Sequence, residues 1–326
     1  MIEVRNLVKK YGDHVAVDHL NFTVEKGKIY GFLGPNGAGK TTTMNMITGY
    51  IASTEGDVII NGHNILEEPE EAKKCIGYLP EQPPLYFDMT VLEYLKFAAE
   101  LKKIPKQDRE KMLEEVMDLV KISDVKDRLI KNLSKGYRQR VGLAQAVLGY
   151  PEVIILDEPT VGLDPKQIIE IRDLIKNLGD KHTVILSSHI LSEVSAICDY
   201  VLIISHGKLV ASDTTENLEK MTMGSNELNL TVKTTQDKLK NILSSISGIE
   251  EISFLASEED GAVDIKIKTS EKTDIREDLF YKLAEHRCPL LKMEFNRLSL
   301  EDIFLELTDD SSENIKEEEQ EDAGDL

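Results

Sequence analysis

The sequence predicts an α/β protein built on a mainly parallel sheet, with a smaller α+β module after it. Short apolar runs alternate with helical patterns on both sides of a helical insert at 91–150. A glycine-rich turn at 34–39 separates an apparent strand from an apparent helix. Beyond about residue 225 the order becomes strand, helix, strand, strand, helix, strand. A length of 326 residues allows about two domains of ordinary size, which agrees with this division.

Residues 1–220 carry the β-α alternation of the first domain. Apolar and β-branched runs predict strands at 2–8, 15–24, 28–33, 153–156, 183–187 and 200–204. Apolar spacing of three and four residues predicts helices at about 39–51, 165–178 and 190–197, and a helical subdomain over about 83–150. Alternation of strands and helices is typical of parallel β-α units.

A second domain is predicted at 225–308, because the sequence MTMGSN at 221–226 interrupts the pattern. Strands are indicated at about 228–232, 252–254, 263–267 and 290–295, and helices at about 239–246 and 275–283. This order matches a ferredoxin-like module. A further apolar-acidic helix is predicted at 299–307, and the acidic stretch 309–326 is predicted to be a disordered tail.

The charge balance argues against nucleic acid as a partner. Lys and Arg number 39 and Asp and Glu number 59, which gives a net charge of −20. Nine of the carboxylates lie in 309–326, against one lysine. A negative net charge of this size repels the phosphate backbone of nucleic acids.

The cysteines and the apolar pattern bear on location. Cys75, Cys198 and Cys288 form no spaced pair, which favours a reducing compartment over a disulfide framework. We interpret all three as packing residues. His286 and Cys288 could form a metal pair, but two ligands without further partners favour packing. The sequence has neither a signal peptide nor the ~18 unbroken apolar residues of a membrane helix, so a soluble, cytoplasmic chain is expected.

One stretch matches the phosphate-binding loop pattern G-x-x-x-x-G-K-[ST]. It consists of Gly34, Pro35, Asn36, Gly37, Ala38, Gly39, Lys40 and Thr41. Glycines let backbone N–H groups turn inward around phosphate oxygens, and the N-terminus of the following helix adds a favourable dipole. Lys40 is expected to reach the β- and γ-phosphates and Thr41 to offer its hydroxyl to Mg²⁺, while Thr42 can bond the phosphates as well. The sequence therefore predicts a nucleoside triphosphate site with Mg²⁺.

A second stretch places two adjacent carboxylates at the end of the predicted strand 153–156. Asp157 is expected to hold Mg²⁺, directly or through water, and Glu158 to polarise the attacking water. Many strands end in solvated acids, so this pattern gains its meaning from the phosphate loop upstream.

Further motifs resemble those of the ATP-binding-cassette (ABC) ATPases. Residues 133–140, LSKGYRQR, resemble the signature sequence of that family. Residues 162–165, GLDP, are similar to its D-loop, and residues 187–189, SSH, to its switch histidine after a strand. Tyr11 matches its adenine-stacking aromatic residue. On these motifs, over about 1–220, the chain is identified as a member of the family.

The resemblance implies an ABC-type P-loop ATPase core with a β-subdomain and a helical subdomain, and ATP as the nucleotide. Tyr11 would then stack on adenine, and His189 would act in hydrolysis. In the family, the signature of one subunit closes on the γ-phosphate held by another. Ser134 and the N–H of Gly136 would therefore act on a partner's ATP, and Asp164 of the D-loop would also belong to the nucleotide site. One phosphate loop per chain thus implies a dimer, with a second copy or with a paralogous ATPase subunit.

Two positions depart from the family pattern. Lys135 and Tyr137 stand where the signature has glycine and glutamine. The glutamine of the Q-loop aligns with Glu81, and Gln82 is its neighbour. Either Glu81 or Gln82 would sense Mg²⁺ and the attacking water.

These two departures and the sequence of residues 299–308 resemble those of ATPase subunits of exporters. In such exporters the permease is a separate polypeptide. The expected function is ATP hydrolysis that drives transmembrane permease subunits from the cytoplasmic face of the cell membrane. The alternative is a soluble ABC ATPase that acts on a cytoplasmic complex. ABC proteins of translation carry two cassettes in one chain, whereas this sequence has one phosphate loop.

The family places the permease joint beside the Q-loop, which corresponds here to residues 81–89. Pro83 and Pro84 predict a stiff, extended segment there. Its three apolar residues, Leu85, Tyr86 and Phe87, are expected to be available for contact with the partner; the alternative is that they anchor the loop to the core. The module at 225–308 is interpreted as a dimerisation or regulatory element.

Overall fold

The computed structural model describes residues 1–221, 226–255, 257, 259–269 and 274–296. Contacts between residues divide the chain into two units, Met1–Thr215 and Glu216–Leu326. Within the described part, no helix has both the length and the apolarity that crossing a membrane requires. The helix predicted at 299–307 and the tail predicted at 309–326 lie outside the described residues.

The first unit contains two sheets and the helices around them. Its strands are β1 (Ile2–Tyr11), β2 (His14–Val24), β3 (Ile29–Leu33), β4 (Glu55–Ile60), β5 (His63–Asn64), β6 (Ile76–Leu79), β7 (Val153–Leu156), β8 (Thr183–Ser188), β9 (Tyr200–Ser205) and β10 (Lys208–Thr214). Its helices are α1 (Lys40–Ile47), α2 (Pro69–Lys74), α3 (Val91–Leu101), α4 (Lys106–Leu119), α5 (Lys135–Val147), α6 (Pro165–Gly179) and α7 (Leu191–Ile197). Helix α8 (Thr215–Met221) spans the division between the units.

The larger sheet has the strand order β10-β9-β3-β8-β7-β6. Neighbouring strands from β9 to β6 pair in parallel, as the alternation of strands and helices predicts. Strands β3, β7 and β8 are buried along their whole length, which is typical of a parallel sheet covered on both faces. Because parallel strands end at the same edge, the segments that follow β3, β7 and β8 lie together there. This edge positions the candidate site.

The rest of the first unit holds elements that the sequence patterns did not reveal. Strand β10 runs antiparallel to β9 at the edge of the larger sheet. Strands β4 and β5 complete an antiparallel sheet of order β2-β1-β4-β5. Apolar side chains of both sheets and of α1 share one core, which includes Leu7, Val17, Phe32, Met44, Ile60 and Ile155.

Helices α3 to α5 form the helical insert predicted over 91–150. Thr90 and Glu93 form a capping box that fixes the start of α3. Helix α5 lies very close to β6: a Cβ at Gly77 would collide with the carbonyl oxygen of Ala146, and one at Gly142 would collide with side chains from the end of β6 and the turn after it. Only glycine allows this separation of backbones.

The second unit is built on a single antiparallel sheet. Its elements are β11 (Asn226–Val232), α9 (Gln236–Leu243), β12 (Ile249–Leu255), β13 (Val263–Thr269), α10 (Arg276–Glu285) and β14 (Leu290–Asn296). The strand order is β12-β13-β11-β14, and every pair is antiparallel. This connectivity is the β-α-β-β-α-β arrangement of ferredoxin-like modules. The apolar core includes Leu228, Leu230, Leu239, Leu243, Ile265, Ile267, Leu279 and Leu283.

The three cysteines form no disulfide. Cys198 and Cys288 are buried and Cys75 is half-buried. Burial raises the pKa of the Cys198 thiol. These positions agree with their interpretation as packing residues.

Candidate active site

A cleft of about 490 Å³ opens at the edge of the larger sheet where the parallel strands end. A volume of this order suits a nucleotide-sized ligand. The lining residues come from β1 and β2, the phosphate loop, and the segments after β6, β7 and β8. They are Tyr11, His14, Ala16, Asn36, Gly37, Gly39, Lys40, Thr41, Thr42, Glu81, Glu158, Val161 and His189.

The phosphate loop has the backbone that its glycines allow. Gly37 and Gly39 have φ values of +86° and +100°, a region that other residues rarely adopt. A Cβ at Gly39 would also collide with the carbonyl oxygen of Ala16. Gly39 caps α1 without a side-chain acceptor, and the first turn of α1 has no acidic residue. The free N–H groups of α1 therefore meet the cleft with the positive end of the helix dipole.

Lys40 is buried at the floor of the cleft. Its ammonium Nζ donates to the carbonyl oxygens of Gly34 at 2.8 Å and Pro35 at 3.2 Å. It lies 3.6 Å from Oε1 of Glu158. Burial lowers the pKa of Lys40, and the negative charge of Glu158 opposes that shift. A partly desolvated ammonium at this place favours an anionic ligand.

Asp157 is buried at the end of β7, with 1% of its surface exposed. The Ser187 hydroxyl donates to its Oδ1 at 2.5 Å. Its Oδ2 is buried and has no hydrogen-bond partner within the part of the chain that the structure describes. A carboxylate oxygen without a protein donor suits a hard cation such as Mg²⁺, which commonly takes one or two carboxylates and completes its shell with phosphate and water. Asp157 and Thr41 also line a shared cavity of about 560 Å³ beside the cleft, so these two residues fit the predicted ion.

Glu158 is held in an unusual backbone conformation. Its φ is +47°, which is strained for a residue of this size. Its N–H donates to Oγ of Ser187 at 2.9 Å. Nδ1 of His189 donates to Oε2 of Glu158 at 3.0 Å, because an ionised carboxylate can only accept. The structure thus brings together the two side chains that the sequence predicted for hydrolysis.

The two Q-loop candidates differ in the cavities that they line. Glu81 lines the cleft and also the neighbouring cavity, whereas Gln82 lines the neighbouring cavity. Both cavities include Thr41. The charge of Glu81 also acts to raise the pKa of Lys40, against the effect of burial. Both residues therefore stay candidates for the sensor.

Tyr11 lies at the mouth of the cleft and is 51% exposed. Nζ of Lys9 is 5.2 Å from the centre of its ring, a cation–π distance. The exposed ring offers a surface on which a planar base can stack.

Three predicted residues stand apart from this cleft: Ser134, Gly136 and Asp164 are not among its lining residues. Ser134 and Asp164 are exposed, and their side chains cap the N-termini of α5 and α6. A Cβ at Gly136 would collide with Gln167 of α6, so the signature and the helix after the D-loop are in contact within one chain.

The loop after Pro84 corrects one expectation. Leu85 is buried and anchors the loop to the core, so it is not available to a partner. Tyr86 and Phe87 are about half exposed. The ring of Tyr86 packs edge-on against Phe97, and the guanidinium of Arg138 lies 5.2 Å from the ring centre of Phe87.

Sequence patterns missed four residues of the site. Ser187 bonds both Asp157 and Glu158, whereas the sequence pattern marks it only as a neighbour of His189. Val161 lines the cleft because the turn after β7 lies at the same edge of the larger sheet, and His14 and Ala16 line it because β2 of the other sheet begins beside the phosphate loop. The position of Ser187 at the end of a buried strand, next to a predicted site residue, was the one usable pattern among these four.

The sequence of this chain is similar to those of known ABC transporter proteins. A family model described as "ABC transporter" matches residues 17–161. The bacitracin transport ATP-binding protein BcrA of Bacillus licheniformis is 36% identical over 309 residues, which cover 94% of this chain and 97% of that protein. The linearmycin resistance ATP-binding protein LnrL of Bacillus subtilis (strain 168) is 31% identical over 309 residues, which cover 94% of this chain and 98% of that protein.

A solved structure supports the same assignment. The dimeric structure of the ATP-binding cassette MJ0796 in a post-hydrolysis state, bound to ADP and Pi, superposes with a TM-score of 0.60 at 26% identity. The superposition covers 66% of this chain and 98% of the cassette. The chain therefore belongs to the ABC transporter family, among its ATP-binding proteins.

Proposed function

We propose that this chain is the ATP-hydrolysing subunit of an ABC exporter and that it works as a dimer beneath a separate membrane permease. The observation that carries the proposal is the arrangement of three groups at the cleft and the cavity beside it. The buried ammonium of Lys40 and the Glu158–His189 pair line the cleft. Asp157 lines the adjoining cavity, which shares Thr41 with the cleft, and its Oδ2 has no hydrogen-bond partner among the described residues. A triphosphate held by the phosphate loop would lie beside all three.

The nucleotide is bound at both ends of the cleft, by its phosphates and by its base. The loop 34–39 and the first turn of α1 offer backbone N–H groups to the phosphates, together with the Lys40 ammonium and the Thr42 hydroxyl. At the other end of the cleft, Tyr11 stacks on adenine. Binding at both ends fixes the γ-phosphate relative to the carboxylates.

Thr41 and Asp157 would hold Mg²⁺ through the Thr41 hydroxyl and the free Oδ2 of Asp157. The ion would neutralise phosphate charge as it develops during transfer. Ser187 holds the other oxygen of Asp157, so its donor bond orients the carboxylate.

Glu158 acts as the general base that takes a proton from the attacking water. The hydrogen bond from His189 keeps the carboxylate facing the cleft. The strained backbone at Glu158, held by Ser187, adds a second constraint on its position. Glu81 or Gln82 would sense the metal and the water from the neighbouring cavity.

A second subunit would complete the site. Ser134, Gly136 and Asp164 lie outside the cleft of their own chain, and Ser134 and Asp164 are exposed. The first turn of α5 also has no acidic residue, which suits approach to phosphate. These residues would therefore meet the ATP of a second copy or of a paralogous subunit.

The permease would dock beside the loop 81–89. Tyr86 and Phe87 keep exposed aromatic surface there, and Glu81 begins the same loop at the cleft. A partner that contacts the two rings would thus be linked to the site of hydrolysis by a short segment of chain. Peripheral attachment through the permease would place the chain on the cytoplasmic face of the membrane. The export role is proposed by similarity to relatives named for bacitracin transport and linearmycin resistance.

The test of hydrolysis compares Glu158→Gln with wild type by steady-state release of phosphate, with Mg²⁺ and with a chelator. We expect the variant to bind ATP normally and to lose about 10²–10⁴-fold in rate, because a positioned base contributes that much. Glu152→Gln is the matched control, since Glu152 is a partly exposed carboxylate paired with Lys26. Hydrolysis by Glu158→Gln at the wild-type rate would contradict the proposal, as would activity that survives chelation.

The test of docking uses Tyr86→Ala. Basal ATP hydrolysis should persist, while co-purification with a membrane protein and stimulation by it should fall. Isolation of the wild-type chain with a soluble complex alone would instead favour a cytoplasmic role.

A further inference from the structure

Glu193 is a buried carboxylate that has no role in the steps of hydrolysis proposed for Lys40, Asp157, Glu158 and His189. It lies in the first turn of α7 and is 4% exposed. A carboxylate removed from water in this way is stable only if donors surround it. Its donors come from three different elements, and two of those elements carry residues of the site.

Oε2 of Glu193 accepts two hydrogen bonds from hydroxyl groups. The Thr160 hydroxyl donates at 2.5 Å and the Ser188 hydroxyl at 3.2 Å. Ser188 Oγ also lies 3.4 Å from the carbonyl oxygen of Ile190, but the charged carboxylate is the stronger acceptor for its single proton. Oε1 faces the guanidinium of Arg172 on α6, at 3.8 Å.

The two hydroxyl donors lie next to the residues that act on water. Thr160 follows Glu158 by two positions, and the N–H of Val161 donates back to the carbonyl oxygen of Glu158 in the same turn. Ser188 immediately precedes His189, and its Oγ accepts the N–H of Ile190 at 3.0 Å. The Ser188 side chain thus encloses His189 in a small turn.

We propose that Glu193 is a positioning residue for ATP hydrolysis, which fixes Glu158 and His189 relative to each other by holding Thr160 and Ser188 on one carboxylate oxygen. This inference rests on the proposed function. Glu193 touches neither reactant; it acts through the two turns that it joins. A residue that only packed α7 against the sheet would not need a charge, and an apolar side chain would do so without the cost of desolvation.

The test measures steady-state ATP hydrolysis of the full chain with Glu193→Ala. We expect kcat to fall by about 10- to 100-fold, the usual loss when an orienting partner is removed, and the KM for ATP to stay nearly constant. The constancy of KM follows from the phosphate loop and Tyr11, which lie on other elements. Glu170→Gln is the matched control, because it breaks an ion pair with the buried Arg140 that includes no residue of either turn.

A double variant separates positioning from mere folding. If Glu193 acts through Glu158, then Glu158→Gln with Glu193→Ala should hydrolyse ATP no more slowly than Glu158→Gln alone. A further loss in the double variant would overturn the proposal. The same holds if Glu193→Ala lowers kcat no more than Glu170→Gln does.

A second pair of variants covers the case in which Glu193→Ala does not fold. Thr160→Val keeps the volume of the side chain and removes one donor, so kcat should fall. Thr160→Ser keeps the hydroxyl donor, so its kcat should stay near the wild-type value. Equal rates in the two variants would overturn the proposal. Failure of wild type to hydrolyse ATP would instead reject the proposed function itself, so the two failures are distinguishable.

Discussion

The two units of the chain differ in what they bury. Among residues whose burial the structure describes, fourteen polar or charged side chains are buried in the first unit and one, Thr269, in the second. Those of the first unit are Lys40, Thr43, Thr48, Gln139, Arg140, Asp157, Glu158, Thr160, His182, Thr183, Ser187, Ser188, Glu193 and Ser205. The second unit instead fills the space between its sheet and helices with leucine and isoleucine.

Buried polar side chains mark the part of the molecule that carries the chemistry. A buried polar group costs free energy unless it is hydrogen-bonded, so a fold keeps few of them without a reason. In the first unit several bond to one another beside the cleft, as Ser187 does with Asp157 and Thr160 with Glu193. Predictions can therefore be made about each unit from what it buries.

The largest effect is expected from Asp157→Asn. Loss of the charge should weaken Mg²⁺ binding and slow hydrolysis by about 10²-fold or more, which corresponds to roughly 3 kcal/mol of activation free energy. The melting temperature should not fall, because the variant replaces a carboxylate of which one oxygen has no donor within the described residues. Titration of activity with Mg²⁺ and a thermal melt test both points. A variant that is inactive and also much less stable would mean that Asp157 serves mainly to hold the fold.

Leu239→Ala in α9 should affect stability and leave chemistry intact. Leu239 is fully buried in the core of the second unit, and such a truncation costs about 2–5 kcal/mol. Denaturant unfolding should show an earlier transition for that unit, while the rate of ATP hydrolysis stays at the wild-type value. Loss of hydrolysis in parallel with unfolding of the second unit would contradict this expectation, since the site would then depend on both units.

The sequence predicts the site best where chemistry requires a fixed spacing. Lys40 and Thr41 are found because the phosphate loop needs them at set positions after glycine. Asp157 and Glu158 follow from a buried strand that ends in two acids. These are local patterns, and the structure places all four residues at two adjoining cavities.

The remaining site residues depend on how distant segments of the chain pack together, which no local pattern encodes. His14 and Ala16 reach the cleft because β2 begins beside the phosphate loop. Glu193 lies far along the chain from Thr160, and its position on α7 resembles that of any acid in a first helical turn. Leu85 was misplaced for a similar reason, since a leucine beside two exposed aromatic residues gives no indication of which one turns inward.

A smaller effect is expected from Tyr11→Ala. The exposed ring should contribute about 1–3 kcal/mol to nucleotide binding through stacking. Its removal should weaken the binding of ATP and GTP alike, because every base presents a flat face. Equilibrium titration with both nucleotides measures this, and Tyr11→Phe serves as the control that keeps the ring. Unchanged affinity in Tyr11→Ala would remove this residue from the site.

The smallest effect is expected from truncation after Thr308. Half of the 18 removed residues are carboxylates, which repel a polyphosphate and so add nothing to its binding. The rate of hydrolysis by the isolated chain should stay at the wild-type value. A large loss would show that the acidic segment acts on the first unit.

The close approach of α5 and β6 has a consequence for how the chain tolerates mutation. Gly77 and Gly142 line neither of the two cavities at the site, yet an added methyl group at either position would force α5 away from the strand. Ser134 caps the start of α5, and β6 leads into Glu81. A saturation scan of the gene should therefore find positions 77 and 142 as intolerant as the phosphate loop itself, and a ranking by tolerance alone would assign them to the site.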